Sequence, residues 1–293
     1  IGERPSVLEL LSIFLHDKLE DLTPAAIGQD QYDQMESEMG TLLQMLPPGV
    51  RVQLTERLSH LTHSPDHSYN EYLANIMVRA EHEPALLNAK LTDRLDNTLD
   101  VGVSMHGIPG QGAFGSIFDL LFLPTYPGLE AGDNHIPLTA NETRQILANL
   151  FKNSEFVNLL RTEGTVLNAT ATDLRDEVIT ASLRIARFLV QDTLILLSAE
   201  KQREAVIAVL DYCRGGGLEA VYAPSKDYHP LDGLFVGTKT DRKDKIRNLG
   251  LDAETRARVG IVFIAVFAAF RSDPSYQIKG IDRHGVTAQP KGS

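Results

Sequence analysis

The chain has 293 residues, 43% hydrophobic and 23% charged, with a formal net charge of −11, one cysteine and no tryptophan. This is globular composition, not that of a disordered chain, and a single cysteine excludes an internal disulfide framework or a multi-cysteine metal centre. Residues 1–100 hold 17 Asp/Glu against 7 Lys/Arg, while the remainder balances 22 against 21, so nucleic acid and anionic lipid do not suit the N-terminal third. Its excess negative charge reads as a solvated face or as a docking surface for a basic partner.

The dominant period is helical. Leu8, Leu11, Leu15, Leu19 and Leu22 step by three and four, which places them on one stripe, with Pro5 and Ser6 suited to a helix start. Further helices are expected over 31–46, ended by Pro47 and Pro48, then over 50–61, 68–79 and 84–95. The stretch 99–138 holds seven glycines and four prolines, with a short helix expected only over 116–123. Long irregular segments of this kind are often functional.

Helices resume at Thr139, where Thr139 and Glu142 have capping-box spacing. Asn153-Ser154 is expected to stop that helix and start a short one through Arg161. The span 172–197 is the longest candidate. Leu174, Val178, Ala181, Ile185 and Phe188 make one stripe, while Leu183, Val190, Leu194 and Leu197 lie on another side. Apolar residues on two sides mean a helix surrounded by neighbours, so this one is placed at the centre. Ser198 caps a helix running to Cys213, which Gly215-Gly216-Gly217 ends. A second glycine-rich segment follows to Gly250, with one short strand expected over 234–236. Asp252 caps the last helix, through Phe270, and the tail from Ser272 is expected to be loose.

No spanning segment is visible: the most apolar run, 261–270, is half the length a bilayer requires. An intracellular, cytoplasmic protein is the expectation, and the Ile1 start reads as a processed or excised piece.

Several strings carry chemistry on paper. Gly110, Gly112 and Gly115 fit G-x-G-x-x-G, whose glycines let backbone N–H groups approach phosphate, and they are the cofactor-binding candidates. The string also resembles the glycine-rich loop of protein kinases. That resemblance covers eight residues, and neither the kinase lysine strand nor the His-Arg-Asp and Asp-Phe-Gly motifs occur. Residues 283–287 resemble the Arg-His-Gly-x-Thr string of histidine phosphatases, at the wrong end of the chain for the sheet that motif ends.

Cys213 is a candidate nucleophile, with His229 as base and Asp227 or Asp232 as orienting carboxylate. It also lies on a stripe with Val206, Val209 and Leu210, as a small buried hydrophobe would. His60 and His63 share a helix face, with Asp66 and His67 close behind, and read as a metal pair or as surface histidines. Asp192 sits inside the apolar central helix, where a carboxylate is either at an exposed sliver or paired.

Together these features describe an all-α protein, an irregular multi-helix bundle with two long Gly-rich segments. Its parts are an acidic helical subdomain (1–98), the segment 99–138, a helical core (139–271) with an insertion at 214–250, and a tail. The first functional expectation is a helical interaction module, an adaptor, scaffold or effector binding a protein partner. The alternative is a hydrolase or transferase with a site where the two Gly-rich segments meet. That site would use His106, Cys213, His229 and Asp232.

Overall fold

A computed structural model of the chain describes residues 6–16, 22–64, 66–99, 137–214, 244, 252–278 and 280–286, with side chains 210–214 and 286 excepted. Among these residues the fold is all-α: ten helices and one two-stranded antiparallel hairpin. The helices are α1 (Val7–Leu15), α2 (Pro24–Ile27), α3 (Gln29–Gln44), α4 (Pro48–Leu61), α5 (Tyr69–Ala80), α6 (Pro84–Leu99), α7 (Ala140–Thr162), α8 (Ala169–Leu194), α9 (Ala199–Arg214) and α10 (Ala253–Ser272). The strands are β1 (Ile281–Asp282) and β2 (Gly285–Val286), registered Ile281 to Val286 and Asp282 to Gly285. The chain divides into two compact units, Ile1–Asp93 with Thr165–Leu174 and Arg94–Gly164 with Arg175–Ser293.

Local sequence explains most helix starts. Ser6, Ser68 and Thr139 each accept a hydrogen bond from the backbone N–H three residues on, and Glu9, Glu71 and Glu142 reach back to the cap. Each box satisfies two N–H groups that a helix start otherwise leaves open. Pro48 and Pro84 occupy first-turn positions, where the missing N–H costs nothing.

In the first unit the core is built from α4, α5 and the start of α6. Leu54, Leu58 and Leu61 are buried there, as are Leu73, Ile76 and Met77 and, at the start of α6, Leu86, Leu87 and Leu91. Beside these side chains α1 buries only Ser12, and α2 and α3 bury no residue at all.

The second unit is a bundle around α8. Leu138 lies at Asp192 and Asn153 at Ser182, so α8 runs against α7. Arg271 lies at Thr180 and Gly260 at Val190, so it runs against α10 as well. Both stripes expected on this helix are largely buried, including Val178, Ala181 and Ile185 on one and Leu183, Val190 and Leu194 on the other. A Cβ at Gly260 would come within 2.6 Å of Val190 Cγ2, so glycine is what lets α10 approach this closely. Ten residues of α10 are buried, with Phe263, Phe267, Phe270 and Tyr276 in successive ring contact.

Two expectations fail here for physical reasons. Asn153 and Ser154 do not stop a helix, because α7 runs unbroken from Ala140 to Thr162. Asn153 Nδ2 donates to Thr98 Oγ1 (2.7 Å) and Ser182 Oγ (2.9 Å), and Ser154 Oγ returns its proton to the Phe151 carbonyl (2.7 Å). Asn153 is thus bonded to side chains of other segments, and Ser154 bonds back to the preceding turn, so neither opens the helix.

Nor is the chain after Ser272 loose through Val286. Ile278 and Ile281 are buried, and Asn158 accepts the Ile278 N–H (2.6 Å) while donating to both their carbonyls (3.2 and 3.1 Å). Arg161 donates to the carbonyls of Phe270, Asp273 and Tyr276, and Glu163 pairs with Arg283. Arg283 and His284, which open the string that resembles a phosphatase motif, are therefore the turn of this hairpin, and Gly285 starts β2 at φ +109°.

Candidate functional site

His106, Gly110, Gly112, Gly115, His229 and Asp232 lie outside the described residues, as do the short helix expected over 116–123 and the strand over 234–236. Cys213 belongs to α9 by its backbone, and its side chain lies outside them too. The described residues offer four other places where chemistry or binding could reside.

Asp192 is buried, and its carboxylate oxygens accept the Leu138 N–H at 3.2 and 3.3 Å. This end of the bundle also holds Arg256, whose Nη1 reaches Thr143 Oγ1 at 3.5 Å, and Asp252, which caps α10. The paired alternative for Asp192 is therefore the one the structure holds. Its position where the chain re-enters at 137–138 ties that entry to α8.

The second place is a buried charged group in the first unit. Lys90 Nζ lies 2.8 Å from Asp93 Oδ2, and His16 Nε2 lies 3.3 Å from Asp93 Oδ1. The Lys90 ammonium sits 5.6 Å from the centre of the Tyr72 ring, and the Tyr72 hydroxyl donates to the Leu61 carbonyl. Burial pulls the Lys90 pKa down, but Tyr69, Asp93 and Tyr72 outweigh it and hold the group well above its ordinary value. An amine held protonated is no nucleophile at neutral pH, so the group braces α1 against α6 instead of reacting.

The histidine run makes no metal centre. His60 Nε2 lies 3.0 Å from Arg79 Nη1, and His63 Nε2 lies 2.9 Å from the His67 carbonyl. His63 also packs edge-on against Tyr69 and Tyr72. Among the described residues no group of three or more His, Cys, Asp or Glu is placed to hold a metal ion.

The fourth place is an uncovered apolar surface. Among the described residues twelve large apolar side chains are exposed, and seven of them fall between residues 7 and 52. Val7, Leu10 and Phe14 stand 66%, 41% and 79% exposed. Their spacing of three and four puts them on one face of α1, while Leu8, Leu11 and Leu15 are half-buried on the other side. Leu42 and Met45, at the end of α3, and Val52 on α4 are exposed as well. Along α3, Tyr32, Met35, Met39 and Leu43 form a stripe that is only half-buried. On α1 the three exposed groups share a helix face, and neighbouring apolar groups on a surface mark a contact surface more often than scattered ones do.

The leucine stripe of α1 draws attention away from this face. The signal was nevertheless present, since the helix reading Val-Leu-Glu-Leu-Leu-Ser-Ile-Phe-Leu is apolar everywhere but at Glu9 and Ser12.

The geometry defines an all-α multi-helix protein with an acidic N-terminal unit. Among the described residues no helix is long and apolar enough to cross a membrane. No known protein family, no curated protein and no solved structure matches the chain.

Proposed function

We propose that this chain is a helical protein-interaction module that holds a protein partner on the surface of its first helices. The carrying observation is the exposure of Val7, Leu10 and Phe14 together on one face of α1. Helices α1 to α3 add acidic charge and bury one residue between them, so little of their apolar surface is used by the core. A partner that covers the face supplies the missing burial, at roughly 25 cal/mol per Å² of apolar area before the costs of association.

Photo-crosslinking in cells that naturally make the protein tests this reading. A benzophenone side chain at position 14 or 45 is expected to capture a protein, and one at Ile207, an exposed apolar position outside the first helices, is not. Capture from Ile207 with none from positions 14 and 45 would remove the basis for the reading.

A second reading, a hydrolase or transferase, is favoured by one observation. Leu138, the last residue of the first Gly-rich segment, and Arg256, six residues past the second, bond within one end of the bundle, at Asp192 and Thr143. In that reading His106, Cys213, His229 and Asp232 perform acid–base and nucleophilic work there. Alkylation of Cys213 by iodoacetamide tests it. An activated thiolate reacts at nearly the same rate at pH 6 and pH 8, whereas an ordinary thiol slows about tenfold per unit below its pKa.

A further inference from the structure

We infer that the occupant of the α1 face is a basic amphipathic helix of the partner protein; this rests on the interaction-module reading and names the chemistry of its partner. Val7, Leu10 and Phe14 repeat at the spacing with which one helix receives another, the same three-and-four pattern an incoming helix presents.

The charge carried by the first helices selects among occupants. Between residues 6 and 50 the described residues include Glu9, Asp30, Asp33, Glu36 and Glu38 and not one Lys or Arg. Asp33 and Glu38 accept hydrogen bonds from the neutral amides of Gln29 and Gln34, which leave the carboxylate charge in place. Both α1 and α3 pack on α4, so acidic helix and apolar face share one support. The flanking sequence is acidic too: residues 1–50 hold nine Asp/Glu against two Lys/Arg.

A second copy of the chain would bring like charge to like charge, which disfavours a symmetric contact, and an anionic bilayer would be repelled in the same way. A helix with Lys or Arg flanking an apolar stripe meets both the oily face and the negative surround.

The test uses the full chain and a fluorescent 18-residue Leu/Lys peptide with apolar residues at i, i+3, i+4 and i+7, beside a Leu/Glu peptide of the same pattern. The Leu/Lys peptide is expected to bind and the Leu/Glu peptide to bind at least about tenfold more weakly. The double variant Leu10→Asp/Phe14→Asp is expected to weaken Leu/Lys binding by about tenfold or more. These substitutions add negative charge, so mere electrostatic attraction would strengthen binding, and only loss of apolar docking weakens it. Both side chains are exposed, and a circular dichroism spectrum verifies that the variant folds.

Equal binding of the two peptides, or undiminished binding to the variant, overturns the inference. So does a wild-type dimer in sedimentation that the same two substitutions dissociate, which would make a second copy the occupant. Should position 14 capture a partner through a segment that is not a basic helix, the module reading stands and this inference alone falls.

Discussion

The first three helices and the bundle around α8 use similar apolar content in opposite ways. Helix α7 buries thirteen residues and α10 buries ten, whereas α1, α2 and α3 together bury one. On α7 and α10 no large apolar side chain is among the exposed ones. In α1 the leucines on one side pack while Val7, Leu10 and Phe14 meet water. An isolated helix of nine residues is marginal in water, and most helical stability comes from packing. Helix α1 is therefore held by its capping box, by α4 and by the His16–Asp93 contact. The lesson is that apolar content alone does not tell core from contact surface; the number of neighbouring elements does.

That contrast can be broken most sharply with two phenylalanines. Phe263→Ala, at a side chain with no exposure, is expected to cost about 3–5 kcal/mol in urea unfolding. Phe14→Ala, at 79% exposure, should stay within about 0.5 kcal/mol. Comparable losses would mean that α1 belongs to the core after all.

The next effect lies in the buried charges of the first unit. Lys90→Met leaves Asp93 without its 2.8 Å partner and is expected to destabilise by about 3 kcal/mol, while Lys90→Met/Asp93→Leu recovers most of the loss. A double variant as unstable as the single would show that the ammonium contributes through something other than Asp93.

Close approach within the bundle gives a smaller change. Gly260→Leu drives atoms into Val190 and should cost about 2 kcal/mol by thermal or urea unfolding. A neutral result would mean that α8 and α10 separate easily.

The smallest expected effect is at the α10 cap, where Asp252→Ala should cost about 1 kcal/mol. The Asp252 carboxyl is held below its ordinary pKa, first by the Thr255 hydroxyl and then by backbone N–H groups. The advantage of the wild type over the variant is thus present above the usual carboxylate range. It shrinks as pH falls through the lowered value. Stability curves of both proteins from pH 7 to pH 2 check the sign, and a gap that widens on acidification would contradict it.

The helical architecture was legible because it rests on spacing. The two stripes flanking α8 put that helix at the centre, and the Thr139–Glu142 box marks the start of α7 in the structure. Asn153 and Ser154 read as a stop because their local preference is visible in sequence, whereas the partners of Asn153, Thr98 and Ser182, are 55 and 29 residues away. The same distance hid the role of Asn158, which holds the chain at 278–281 by hydrogen bonds no period predicts. Asp192 was legible as a buried acid, but its partner, a backbone N–H 54 residues upstream, was not.

The α1 face was hidden for the converse reason. Apolar residues on two sides of a helix predict enclosure, and that inference holds for α8 and fails for α1. Nothing in a nine-residue string says how many helices will pack around it.

Hydrogen exchange on the full chain, free and in the native complex recovered through a tag on this chain, tests the central claim most directly. Binding is expected to slow exchange in residues 7–15, leaving residues 140–162 and 253–272 as slow as they were before. Unchanged exchange in residues 7–15, with new protection confined to the bundle, would contradict the account.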